Sequence, residues 1–366
     1  MKTSYKANLW DIIKIGGAWI SFCIGSGFAT GQELLQYFCA YGIWGFGSIA
    51  VAILLHSYAT AEFLKVGNEC QFDRPVDAFE YYCGPAFGKI MKLLGIIFLF
   101  LSPVVMISGF GASVAQHFGA PAAIGAVIIG IACIITILLG LRKMVDILGV
   151  IGPIIIIITL LTGGIWLAQH LDTLSAGMSI APSITTLKMG SGWLESGILY
   201  ATWAPMISLP FLAAAGTTVN SKKDAMLGGV LGTIFYGLAC AMMVASFFTD
   251  YENVGKMSVP TLFLANNISP VLGYAFLAVI FLGIYSSAVP SLFNFCASFY
   301  KEGTIKHKVV TVLSIAAAVF VAVAVPFGNL MNYVYTFYGY LGMLFFILIP
   351  IKQYRVHKEK IRSKTD

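Results

Sequence analysis

One stretch excludes most folds open to a chain of 366 residues. From Val145 to Gln169 it reads VDILGVIGPIIIIITLLTGGIWLAQ, with no charge after Asp146. A run of about 18 or more such residues is long enough to cross the hydrocarbon of a bilayer as a helix. Similar runs recur along the whole sequence. The chain is 58% hydrophobic and only 10% charged, where a soluble domain is about 25% charged. Its mean hydropathy is +0.87. Inside a bilayer every backbone N–H and C=O must be satisfied within the protein, which leaves helices or closed barrels. Runs this long and this apolar predict helices, so the fold class is an all-α integral membrane protein.

Ten spans are predicted, at 10–39, 42–66, 87–117, 120–140, 144–169, 191–216, 223–248, 270–299, 308–326 and 328–352. The first, third and eighth are long enough that they must tilt, project or break. Basic residues fix the orientation. With the N-terminus inside, 20 of the 22 Lys and Arg residues fall inside, and only Lys188 and Lys256 fall outside. A missed span would scramble that bias. The reading is a multi-pass protein of the cell membrane with both termini cytoplasmic. The net charge of +6 follows from this topology and is no nucleic-acid footprint. The polar opening MKTSYKANLWDIIK reads as no cleavable leader. The seven cysteines are scattered, with no CxxC pair, so neither a disulfide framework nor a thiolate metal site is expected.

Five spans precede the 170–190 connector and five follow it. An odd number per half gives the halves opposite orientations, the arithmetic of an inverted repeat. The predicted units are 1–170, 171–352 and a basic cytoplasmic tail, 353–366. Each half opens on a span that ought to be a poor helix. The first carries SFCIGSGFATGQELLQYF, with Gly25, Gly27 and Gly31 and then Glu33; the sixth carries YATWAPMISLPF, with Pro205 and Pro210. Helices 1 and 6 are therefore predicted to be discontinuous. A mid-membrane break exposes amides at one new helix end and carbonyls at the other, suited to an anion and a cation respectively. Ser26, Gly27 and Phe28 would offer amides, with Gly25 letting a ligand approach the backbone. Ser21 and Ile24 would offer carbonyls. Close packing of helices through small residues is the competing use of Gly27 and Gly31.

The stretch CIGSGFATGQE together with ten spans in a five-plus-five order resembles the YkvI-type bacterial membrane proteins. These fall in the amino acid–polyamine–organocation transporter superfamily, which has the LeuT-like fold. The resemblance covers essentially the whole chain. It implies a secondary transporter, a symporter or exchanger, of an amino acid or related small solute, with the substrate near mid-membrane between helices 1, 3, 6 and 8. In the sodium-coupled branch one Na+ lies between helix 1 carbonyls and helix 8 hydroxyls. That implies Ser21 and Ile24 with Gly283, Ser286 and Ser287 from LGIYSSAV. Oxygen-only ligands suit a hard cation. Tyr285 stands where a second hydroxyl residue would be expected, so the register is open by one. Some proton-coupled relatives carry a lysine on helix 5; this span has none, which favours Na+.

Among the remaining polar residues, Glu33 is a candidate outer gate, a partner for a substrate amine or a proton carrier. Trp203, at the helix 6 break, and Tyr285 are candidates to cap a small amphipathic solute. Tyr200, Phe22 and Phe211 flank the breaks. His56 is deep in helix 2, where a lone histidine is more often a packing residue. Glu195 reads as a solvated helix end. Glu62 and Asp146 could pair with nearby lysines, and Asp11 with Lys14 could form an inner latch. The sequence offers no phosphate loop, because GSGFATG lacks the Walker lysine. It also offers no metal-ligand cluster and no nucleophile–base pair, so no enzyme and no cofactor beyond a coupling ion is expected. The partners are a small amino acid-like solute and membrane lipid. The alternative is a receptor of the same fold that senses a solute without moving it.

Overall fold

The computed structural model describes residues 7–139, 141–184 and 187–365, and for 141–153, 360 and 363–365 the backbone alone. The regular structure among them is entirely helical. The first predicted span is three pieces: α1 (Leu9–Cys23), α2 (Ser26–Thr30), and a π-helical turn at Leu34–Phe38. A 3-10 turn, Cys39–Trp44, leads to α3 (Gly45–Cys70). The short α4 (Ala78–Cys83) precedes α5 (Pro85–Phe118), α6 (Ala122–Leu139) and α7 (Leu141–Gln169). Next come α8 (Leu174–Ile184), α9 (Trp193–Trp203), α10 (Pro205–Gly216) and α11 (Lys222–Phe248). The chain ends with α12 (Tyr251–Val254), α13 (Pro260–Ile268), α14 (Pro270–Ala297), α15 (Ile305–Ala324) and α16 (Phe327–Thr365).

Local chemistry places several of these ends. The Asn8 side chain accepts from Trp10 N–H at the start of α1. Ser269 accepts from Leu272 N–H, with Pro270 in the first turn of α14, and Thr304 accepts from His307 N–H to open α15. Each satisfies a donor that the first helical turn cannot pair internally. Seven described helical segments are long and apolar enough to cross a membrane. Two bent pairs, α7–α8 (77°) and α9–α10 (44°), bring the number to nine. Part of the predicted first span, Leu34–Phe38, falls in one of the seven, and α1 and α2 are each too short to qualify.

Two expectations change. The 170–190 connector contains α8, which packs against the turn at 39–44 and against α11. Its fit is close: a Cβ on Gly177 would lie far inside contact distance of the Phe248 carbonyl. The predicted basic tail is helical as far as Thr365, because α16 runs unbroken from Phe327 to Thr365.

The broken first span lies at the centre of the bundle. α1 packs on α11, α7 and α14, and α2 packs on α5, α14 and α13. α9 and α10 lie on α3, and α16 covers α9. Among the charged groups, Glu62 pairs with Lys65 at 3.0 Å as expected. Asp11 accepts from the Asn8 side chain, and no ion pair joins it to Lys14 among the described residues. The Asp146 side chain lies outside the described residues.

Candidate functional site

The helical bonding of α1 lapses after Ile24, whose N–H still reaches the Ile20 carbonyl at 3.1 Å. Gly25 then runs extended, at φ −49° and ψ −174°, and α2 starts at Ser26. This leaves the carbonyls of the last turn of α1 without the donors a continuous helix would supply. α14 meets them. Ser286 Oγ donates to the Ser21 carbonyl at 2.9 Å, and Ser287 Oγ to the Phe22 carbonyl at 2.8 Å. Both hydroxyls also reach the Gly283 carbonyl. A Cβ on Gly283 would lie 2.9 Å from the Ile24 carbonyl oxygen, so only glycine admits that oxygen so near the α14 backbone. Ser21, Ile24, Gly283, Ser286 and Ser287 thus share one buried patch of oxygens, where the resemblance implied a cation. The Phe22 carbonyl belongs to it as well. Backbone oxygens leave no side-chain signal in a sequence.

α2 is closed by Gly31, whose φ of +90° suits glycine and turns the chain sharply. Thr261 on α13 donates to the Ala29 carbonyl at 2.6 Å and holds the short helix in place. Because of the turn, Glu33 does not continue outward. Its side chain folds back over Gly27, where an added Cβ would lie 2.0 Å from Glu33 Oε1. Glu33 is only 1% exposed, yet no ion pair reaches it among the described residues. Tyr200 Oη donates to Glu33 Oε2 at 3.2 Å, and the Tyr200 and Tyr236 hydroxyls hydrogen-bond each other. On the other side of the turn, Gln32 donates to the Met257 carbonyl at 2.7 Å. Gln36 donates to Gln32, and Asn332 to Gln36.

The second break is a bend. Ala204 keeps helical dihedrals, and the 44° change of direction falls at Pro205. Proline has no N–H, so the Ala201 carbonyl four residues earlier loses its helical donor. The His56 ring, brought in by α3, lies beside that carbonyl. Among the described residues His56 Nε2 has no hydrogen-bond partner, nor have Trp203 Nε1, Ser26 Oγ, Ser102 Oγ, Tyr37 Oη or Tyr335 Oη. Trp203 stacks on Tyr335 at 4.3 Å, and His56 lies 5.7 Å from the Tyr200 ring. Between the two breaks is a cavity lined by Trp19, Phe22, Gly25, His56, Tyr200 and Trp203, with Tyr236 and Cys23 beside them. Its free volume is about 20 Å³, room for one or two waters. Buried polar atoms without partners are costly. A cluster of them around a small closed space suits a ligand or waters.

Of the candidate substrate residues, Gly25 and Trp203 line this cavity. Ser26 follows Gly25 in the chain, and its hydroxyl has no hydrogen-bond partner among the described residues. Gly27 carries Glu33, and Phe28 packs on the Tyr236 ring at 5.0 Å. Tyr285 is not in the site. Its hydroxyl bonds Thr136 on α6 at 2.7 Å and its ring stacks on Phe281. Ser286 and Ser287 face α1, and one residue of helical rotation turns Tyr285 away. Glu195 is held at the exposed start of α9 by Ser191 and Tyr340. Tyr236, Tyr335 and Cys23 were missed, because single polar or aromatic residues on apolar helices carry no spacing signal.

No protein-family model matches the chain. It is 21% identical over 332 residues to an uncharacterised membrane protein, YkvI, of Bacillus subtilis (strain 168), covering 89% of this chain and 92% of the relative. It is 22% identical to YyaD of the same organism, covering 93% and 95%. Among solved structures it superposes on a Na+-coupled sialic acid symporter in a substrate-bound outward-open state. That match has a TM-score of 0.67 at 12% identity, over 93% of this chain and 78% of the other. It also superposes on MhsT in complex with L-phenylalanine, with a TM-score of 0.66 at 15% identity, over 94% and 88%. The chain is thus a multi-pass membrane protein similar over nearly its whole length to the YkvI-type membrane proteins, and it has the LeuT-like fold.

Proposed function

We propose that the protein is a secondary transporter, driven by Na+, that moves an amino acid or a related small solute by alternating access. One observation carries the reading: the patch of four backbone carbonyls, those of Ser21, Phe22, Ile24 and Gly283, and two serine hydroxyls between the break of α1 and α14, next to a closed cavity. The hydroxyls donate to the carbonyls as they stand. Turning each hydroxyl away would present its lone pairs and release the carbonyls together, giving an oxygen shell suited to a hard cation. A cation there would tie α1 to α14 and so bias which end of the cavity opens. The solved structures of this fold include a Na+-coupled symporter, which supports the choice of ion. The inverted five-plus-five repeat and cytoplasmic termini complete the proposal, with one bundle rocking against the other around the site. The substrate would lie in the central cavity against Gly25, Ser26 and Trp203.

The test is thermal unfolding of the purified protein in NaCl and in KCl at equal ionic strength. A ligand at about 100 times its Kd stabilises by about 2.7 kcal/mol, so saturating Na+ should raise Tm by several degrees over K+. Ser286→Ala with Ser287→Ala should remove that difference. Equal Tm in the two salts would sink the sodium site.

A further inference from the structure

A cavity of about 480 Å³ lies at the C-terminal end of α14, against the connector between α3 and α4. Four charged side chains line it: Asp73 and Arg74 from that connector, and Lys301 and Glu302 from the connector to α15. Each connector thus offers one acid and one base. Among the described residues no ion pair reaches Asp73 or Lys301. Opposite charges share the cavity without meeting. Arg74 is held in place by Asp77, to which its Nε and Nη2 donate at 3.3 Å each. A guanidinium has five N–H donors, so others remain to be offered to a ligand.

The helix end adds to the acidic side. Asn294 and Ala297 of the last turn of α14 line the cavity, with Ser298 just after them, and that turn holds no basic residue. The C-terminal end of a helix carries partial negative charge and favours a cation. Part of the wall is apolar, with Val76 and Phe293 buried in it. Phe299 and Tyr300 line it too, yet are 55% and 39% exposed, and Ile305 at the start of α15 is 72% exposed. Large apolar and aromatic side chains left open beside the end of a spanning helix sit at the level of the lipid headgroups. The cavity shares no lining residue with the central cavity or with the oxygen patch between α1 and α14.

We propose that this cavity binds the phosphoethanolamine headgroup of a membrane phospholipid. The phosphate oxygens meet Arg74 and Lys301, since guanidinium and ammonium groups both bind phosphate. The primary ammonium of the headgroup donates to Asp73 and Glu302 beside the end of α14. It has three N–H donors. The quaternary ammonium of phosphatidylcholine has none, and phosphatidylglycerol carries no cation. The acyl chains run out past Phe299 and Ile305 into the bilayer. A headgroup held by both connectors ties the α3–α4 segment to α14 and stabilises the folded protein.

The experiment measures thermal unfolding of the purified full-length protein in detergent with phosphatidylethanolamine, phosphatidylcholine or phosphatidylglycerol added, all with the same acyl chains. A ligand that binds only the folded protein raises its Tm, so phosphatidylethanolamine should raise Tm by several degrees more than either other lipid. Lys301→Gln and, independently, Asp73→Asn should remove most of that difference. Both positions are exposed, so Tm without lipid should stay within about two degrees of the parent. Lys308→Gln, at an exposed base on α15 outside the cavity, should keep the full difference. A shift with phosphatidylethanolamine no larger than with the other two lipids would overturn the inference. So would Lys301 and Asp73 variants that keep the difference, a Lys308 variant that loses it, or an equal shift from soluble phosphoethanolamine, which would make this a site for a free solute. The comparison of sodium with potassium is read separately. A missing headgroup preference leaves the transporter reading standing, and equal Tm in the two salts leaves the headgroup site standing.

Discussion

Glu33 and Gly27 form a lock of two residues. The carboxylate occupies the space where any other residue at position 27 would place its Cβ, 2.0 Å from Oε1. Gly27→Ala must therefore push Glu33 out of reach of Tyr200. Overpacking of this kind costs about 1–3 kcal/mol, read as a fall in Tm. In a Glu33→Ala background the space is empty, and the same substitution should be nearly neutral. A double-mutant cycle on Tm measures the difference; additive effects would mean that the two residues do not meet. The sequence marked both residues as out of place in a membrane helix. It did not bring them together, because helical periodicity carries Glu33 about two turns beyond the break. The φ of +90° at Gly31 reverses the chain, and no local propensity distinguishes that turn from a tolerated helix glycine. Tyr285 failed for a similar reason. Its chemistry suits a binding site, but one step of rotation along α14 decides whether it meets α1 or α6.

At the scale of elements, the two breaks are made differently. α1 is unwound at Gly25, whereas α9 and α10 are only bent, with a histidine from α3 beside the carbonyl that the proline leaves without a helical donor. If the His56 ring donates to the Ala201 carbonyl beside it, His56→Leu should leave that carbonyl buried and unpaired. That costs about 1–3 kcal/mol and should appear as a clear drop in Tm. Pro205→Ala restores the helical donor, so the loss should be largely recovered in the His56→Leu, Pro205→Ala double variant. No recovery would mean that His56 stabilises the fold by packing alone. Both breaks were visible in advance, since glycine and proline act on the backbone locally and do so in any context. His56 was visible only as an oddity. Its partner is a carbonyl exposed by a proline some 150 residues away in sequence. α8 and the helical continuation of α16 were hidden because the search for long apolar runs passes over helices that are short or charged.

At the scale of the molecule, the apolar runs and the short connectors between them made the helical framework legible, since a spanning segment must satisfy its own backbone. What they could not convey is which way the framework is open. Two cavities, of about 390 and 650 Å³, share Lys256, Met257, Ser258 and Phe327 at one end of the bundle. The central cavity is far smaller, at about 20 Å³. Between them stand the bond from Gln32 to the Met257 carbonyl and the chain from Gln36 to Asn332. On the transporter reading proposed above, those bonds are a closure that the cycle would have to open. Cys23 reports on it directly, as a free thiol lining the central cavity. In a protein with the other cysteines replaced, a small methanethiosulfonate reagent in detergent should label Cys23 slowly. Gln32→Ala removes the donor to Met257 and should shift the population toward the open form, raising the labelling rate by about tenfold. A separate control protein that keeps only the exposed Cys70 should label at the same rate with and without Gln32→Ala. If Gln32→Ala leaves Cys23 as slow as before, the closure lies elsewhere. If sodium alone speeds the labelling while Ser287→Ala prevents it, the proposed cation patch and the closure are coupled through the broken first span, which carries Ser21 and Phe22 on one side of Gly25 and Gln32 and Gln36 on the other.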